Sequence, residues 1–250
     1  MSKLYRVRPA NKKTIEEIEN NYLWFSRPTQ FNDVLDANIF AFVKANESIG
    51  TAFARLFKNN VDVAEQSALA GICCFTEKLP SPSRLARFPN ARNGLVLEYN
   101  REVLEDYFTQ KKGLGDCFKK VEYLKTPTLF KSTNNYDILW EKIGDNERYR
   151  TINEISLDLK AMDQLFLKMF TRISSQYKKQ KEHRIILAGA NIPDKNKDLR
   201  GYQITIPKEA ISKIHIHSNA PVAIKTAIEK SGYEYSIVEN VDAINNKNKT

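Results

Sequence analysis

The chain has 250 residues, of which 42% are hydrophobic and 10% aromatic, the composition of a folded globular protein with ample core and not of a disordered one. Its 39 Lys and Arg against 30 Asp and Glu leave a net charge of +9, which favours anionic partners such as nucleotides or nucleic acid, or is simply the solvated surface of a lysine-rich protein. No apolar run approaches the roughly 18 residues that span a bilayer, the N-terminus Met-Ser-Lys-Leu-Tyr-Arg has no apolar signal core, and three cysteines form no disulfide framework, so no membrane association is expected and a reduced, cytoplasmic protein is.

In chain order, residues 4–7 read as a short strand. Thr14-Ile15-Glu16-Glu17 has the spacing of a capping box opening a helix to about residue 20. Tyr22 to Ser26 returns as a strand, and Ala-, Phe- and Val-rich helices follow around 37–57 and 62–69. Gly71 to Thr76 and Gly94 to Tyr99 are buried-type strands, and Asn100 caps a helix from Glu102 to Phe108. Residues 118–124 alternate as a strand. Leu159, Met162, Phe166, Met169 and Ile173 recur at steps of three and four, which predicts a helix near 153–178 with one apolar, core-forming face. Strands are expected at 182–187, 202–206, 213–217 and 233–238, with Pro221 at the first position of a helix running to about Lys230. The expected architecture is α+β: a single domain over 1–240, with small mixed or antiparallel sheets around a cleft, flanking helices, a helical insertion at about 37–70, and a polar tail at 241–250.

Chemistry concentrates at strand ends. The strand Tyr22–Ser26 runs into Arg27-Pro28-Thr29-Gln30-Phe31-Asn32-Asp33, which seats polar groups at the end of a rigid element. Asn32 and Asp33 also suit an Asx turn capping the next helix, and Trp24, Phe25 and Phe31 read as core. Arg84, Arg87 and Arg92 lie in a Pro-bearing loop, where forked guanidinium donors suit phosphate or nucleic-acid contact. Cys73 and Cys74 are adjacent in a hydrophobic strand, so they point to opposite faces and are unsuited to be nucleophiles. His183, His215 and His217 are the only histidines and have no acidic companion at metal-site spacing, so no metal is expected. No phosphate-loop or dinucleotide-fold glycine pattern is present.

These segments, in order, resemble the bacterial family catalogued as domain of unknown function 2971. Its opening strand is matched by Leu4-Tyr5-Arg6-Val7-Arg8, its Leu-Trp-Phe-Ser-x-Pro-x-x-Phe-Asn-Asp segment by Leu23 to Asp33, and the Asp that follows by Asp36. Cys74-Phe75-Thr76, Gly94 to Tyr99, and Gln180-Lys181-Glu182-His183-Arg184-Ile185 match later strands. Relatives carry Trp and Tyr where this chain has Leu85 and Phe88, a His where it has Arg92, and a Glu where it has Gln180. A second, looser resemblance is to the ADP-ribosyltransferase superfamily, in which NAD is bound between two small sheets and consumed as substrate. That resemblance implies an ADP-ribosyltransferase-like fold with Glu182 as the catalytic carboxylate. Arg8, Ser26, Asn32 and Arg184 would be the NAD-binding residues.

Bland readings stand beside these. Glu182 and Arg184 share a strand face and suit a structural ion pair, and Arg8 suits an exposed edge charge. Three functions follow: an NAD-dependent transferase or glycohydrolase, a non-enzymatic nucleic-acid-binding protein of the kind used in phage defence, or a scaffold or regulatory subunit whose protein partner the sequence does not name.

Overall fold

The computed structural model describes residues 2–31, 36, 70–80, 94–111, 117–124, 130–132, 138–140, 167, 170–187 and 200–238. The helices expected around 37–57 and 62–69, the loop bearing Arg84, Arg87 and Arg92, the Asn32-Asp33 turn and the C-terminal tail lie outside the described residues.

Strand β1 (Lys3–Arg8) buries Leu4 and Arg6 on one face. Helix α1 (Lys12–Glu19) follows, but its start is not the expected capping box. Asn11 is the N-cap, its side-chain oxygen accepting from the Thr14 amide at 3.0 Å; Asn caps as well as Thr. Thr14 sits inside the first turn, donating to the Pro9 carbonyl at 2.7 Å, and Glu17 points into the protein. Asn21, at φ 51°, takes the left-handed conformation that Asn tolerates, and turns the chain into β2 (Tyr22–Ser26).

Strand β3 (Gly71–Thr76) organises the sheet. Along one edge it pairs over its full length with β10 (Glu182–Leu187), from Glu182 opposite Thr76 to Leu187 opposite Gly71. Its other edge is shared. Tyr5 of β1 lies opposite Thr76, and Ser26 of β2 lies opposite Ile72, so the two strands part from each other along β3. Beyond β1 come β4 (Leu95–Asn100), β12 (Ile211–His217) and β13 (Tyr235–Val238); beyond β2 comes β11 (Gly201–Thr205); beyond β10 comes β5 (Phe118–Lys120). Among the described residues this makes one nine-stranded sheet, in which only the β12–β13 pair is parallel. Helix α2 (Arg101–Asp106) follows β4 and is capped by Asn100 as expected, whereas α3 (Val222–Ser231) joins β12 to β13 with Pro221 at its N-cap, one position before the expected place. The fold is α+β with a mostly antiparallel sheet, joined into one main sheet where smaller ones were expected.

Two expectations are corrected. The 118–124 strand is broken at buried Val121: β5 joins the main sheet, whereas β6 (Glu122–Leu124) pairs in parallel with β9 (Arg172–Ser174). That pairing also ends the helix expected to reach 178. Helical backbone stops at Thr171, Ile173 is a strand residue, and residues 175–180 form a 3-10 turn. The helical spacing of Ile173 is overridden by a strand partner fifty residues away. A hairpin of β7 (Phe130–Ser132) and β8 (Ile138–Trp140) completes the described strands.

Phe25, Cys73, Phe75, Tyr99, Ile185 and Tyr202 form the core face of the sheet, covered by Ile18 of α1 and by Ile224 and Ile228 of α3. Phe25 and Tyr202 stack at 5.6 Å with their planes 5° apart. A Cβ at Gly71 would lie 2.1 Å from the Tyr202 hydroxyl oxygen, so β3 opens on glycine to admit that ring. No helix among the described residues is long and apolar enough to cross a membrane.

Cys73 faces this core and Cys74 the opposite side, as strand alternation requires. Burial pushes the Cys73 thiol up to about 11, which leaves roughly 0.1% thiolate at pH 8. In native protein at pH 8, Cys73 should therefore resist iodoacetamide and become reactive on denaturation. Mass spectrometry locates the label; rapid native modification of Cys73 would contradict its packing.

Candidate functional site

Alternation puts Leu4, Arg6 and Arg8 on one face of β1, and α1 crosses that face with Glu17, which is fully buried. Arg6 Nη1 donates to Glu17 Oε1 at 2.6 Å, and Arg6 Nη2 donates to the Trp24 carbonyl at 2.8 Å, so this guanidinium bridges the gap between β1 and β2. Arg8 Nε lies 2.6 Å from Glu17 Oε2, yet neither atom has a directed hydrogen bond. One carboxylate thus serves two guanidiniums. Burial, and then the neighbouring Arg6, hold Arg8 below the ordinary arginine value against the pull of Glu17. The base of the fork keeps surplus positive charge in a poorly solvated place.

A cavity of about 390 Å³ opens at this fork. Arg8 and Pro9 enter it from β1, and Asn11, Lys13 and Glu16 from α1. Tyr22, Trp24 and Ser26 line it from β2, with Arg200 and Gln203 from the β11 side. Because β1 and β2 diverge, the core-side face of β1 and the outer face of β2 both reach the opening, and so Arg8 and Ser26 meet in one pocket. Arg8, Lys13 and Arg200 outnumber the single lining carboxylate, Glu16. Trp24, expected in the core, is half-buried at the pocket, and Lys13 Nζ stands 5.6 Å from its ring centroid. Phe25 is fully buried as expected.

Glu182 lies elsewhere. Register puts it on the same sheet face as Ser26 and on the opposite face from Arg8, and it does not line the fork pocket. Its Oε1 accepts from Arg184 Nε at 2.6 Å, and its backbone amide donates to the Tyr123 hydroxyl at 2.6 Å. Arg184 is fully buried. It also donates to Asp36 Oδ1 at 2.6 Å and to the Phe170 carbonyl at 2.8 Å, and its guanidinium carbon stands 5.6 Å from the Phe31 ring. Arg184 therefore fastens β10 to three other segments, a structural post in which its donors face protein. His183 contacts Glu77 Oε1 at 2.6 Å, and His215 lies between Glu98 Oε2, at 3.0 Å, and the Ser236 hydroxyl, at 2.9 Å.

Of the sequence-predicted residues, Arg8 and Ser26 come together, and Glu182 and Arg184 come together apart from them. Asn32, Arg84, Arg87 and Arg92 lie outside the described residues. Sequence reasoning missed Lys13, Trp24, Arg200 and Gln203, whose meeting depends on β11 pairing with β2. Comparison of the chain with protein-family models, with curated proteins and with solved structures gives no match in any of the three.

Proposed function

We propose that the fork between β1 and β2 is a nucleotide site and that its ligand is NAD. The observation that carries this reading is that Arg8 and Ser26, from different strands, line one pocket with further cations and an aromatic face. Guanidinium forks suit a pyrophosphate, and a hydroxyl at the end of β2 suits a ribose. A parting of two strands that places an early Arg beside a Ser also fits the resemblance to ADP-ribosyltransferases. The corresponding activity is ADP-ribosyl transfer or NAD hydrolysis. Nicotinamide departs with the bonding electron pair of the glycosidic bond, leaving an oxocarbenium-like ribose that a fixed carboxylate stabilises until an acceptor or water adds and loses its proton. Glu182 is the carboxylate the resemblance names. Its place beside Arg184 and outside the pocket supports binding more strongly than turnover.

Two variants separate these halves. Arg8→Lys keeps a positive charge for Glu17 and removes the fork; losing about 1.5 kcal/mol of charge-assisted bonding should weaken NAD binding on the order of tenfold in titration calorimetry. Glu182→Gln keeps an oxygen for Arg184 Nε and should bind NAD while losing nicotinamide release. Unchanged release would remove Glu182 from the chemistry, and absent NAD binding by the native protein would overturn the reading. The net charge of +9 favours a second function, nucleic-acid binding. It requires affinity that falls steeply with salt.

A further inference from the structure

Resting on the reading of the fork as a nucleotide site, the cavity narrows what is bound there. Its volume of about 390 Å³ stands near the lower end of small-molecule sites, which run from roughly 300 to 1,000 Å³. That suits one nucleoside monophosphate, or one half of a dinucleotide, and not both halves together. The walls are also unequal. Trp24 is the large aromatic surface, and the Gly201 backbone supports it: a Cβ at 201 would lie 2.9 Å from indole carbons Cε2 and Cζ2. A ring braced in this way, half-buried and lining a cavity, is a flat platform. Its present companion is the Lys13 ammonium, 5.6 Å from the centroid. Lys13 is a long, flexible cation whose ammonium rests on this ring. A base stacked on an indole is held more strongly than an exposed ammonium over the same face. The exchange is favourable, and it hands the ammonium to the phosphate carried by the same ligand.

We infer that the fork pocket selects a nucleoside monophosphate unit, its base stacked on Trp24 in place of Lys13 and its phosphate held by Arg8, Arg200 and the displaced Lys13. Ser26 and Gln203 are left to meet the sugar.

The test is titration calorimetry of the full chain with AMP, adenosine, inorganic phosphate and NAD. AMP should bind at least tenfold more tightly than phosphate. Trp24→Ala should weaken AMP about tenfold or more and leave phosphate unchanged, with Trp24→Phe restoring most of the loss. Lys13→Ala should weaken AMP and leave adenosine equal or tighter, a split that general damage to the fold would not produce. Equal affinity for AMP and phosphate, or indifference of AMP to Trp24→Ala, would overturn the inference. If NAD binds or is consumed while AMP does not bind, this inference falls and the NAD reading survives. If AMP binds with the expected split and NAD does not bind, the inference stands and the NAD reading falls.

Discussion

Replacing Glu17 by glutamine is expected to destabilise the protein by about 3–5 kcal/mol, the usual cost of removing one partner from a buried ion pair. The side chain is fully buried and lies 2.6 Å from both Arg6 and Arg8, so the substitution leaves two guanidiniums close together with no anion between them. Glutamine keeps the volume, which excludes a cavity as the cause. For a chain of this size the loss corresponds to a fall in Tm on the order of 10 °C. Urea denaturation followed by circular dichroism measures it; a change below about 1 kcal/mol would place this cluster with surface pairs, whose contribution is marginal. Arg6 also holds the Trp24 carbonyl, so the same variant should loosen the fork and broaden ligand affinity before the sheet itself unfolds.

Gly201→Ala is the second large effect. Its Cβ would stand 2.1 Å from the Phe25 carbonyl oxygen, a backbone atom held in the β2–β11 pairing, and the residue's φ of 157° suits glycine. Flexible side chains can yield to an added methyl, but this carbonyl can yield only if the strands separate. A loss of about 3 kcal/mol or more is expected, at the upper end of overpacking costs. The same methyl presses on Trp24, so AMP affinity should fall further than stability alone requires. A variant as stable as the native chain, with native affinity, would show that β11 can shift away from β2 without consequence.

Much of the sheet was readable because its strands carry strong local signals. Gly71–Thr76, Tyr22–Ser26 and Glu182–Leu187 are dense in β-branched, aromatic and aliphatic residues, and the structure has strands there. Ile173 was misread because a three-four spacing cannot show that Glu122–Leu124 offers a competing strand. Glu17 was misread for a different reason. It falls on the same helical stripe as Thr14 and Ile18, all three buried, and a carboxylate on a buried stripe predicts a buried cation. Arg6, two residues from buried Leu4, was that cation. The pocket was half legible. Arg8 and Ser26 lie at strand ends, where polar residues stand out, but Arg200 and Gln203 join them only through a pairing between residues almost 180 positions apart. Asp36 and Arg184, matched as separate motifs, turned out to be one contact.

The shared edge of β3 also sets an order of events in time. β1 needs β3 on one side and β4 on the other, so it must wait for residue 100 to emerge before both its neighbours exist. The wait for β2 is longer, because its second partner is β11. Until then Trp24 has no glycine beneath it, and the cations of the pocket are not yet assembled. Long-range pairing of this kind is slow and leaves strand edges uncovered while it is incomplete. The pocket is therefore completed late: until β11 emerges, Arg8 and Ser26 are present, but the cavity they line with Arg200 and Gln203 is not.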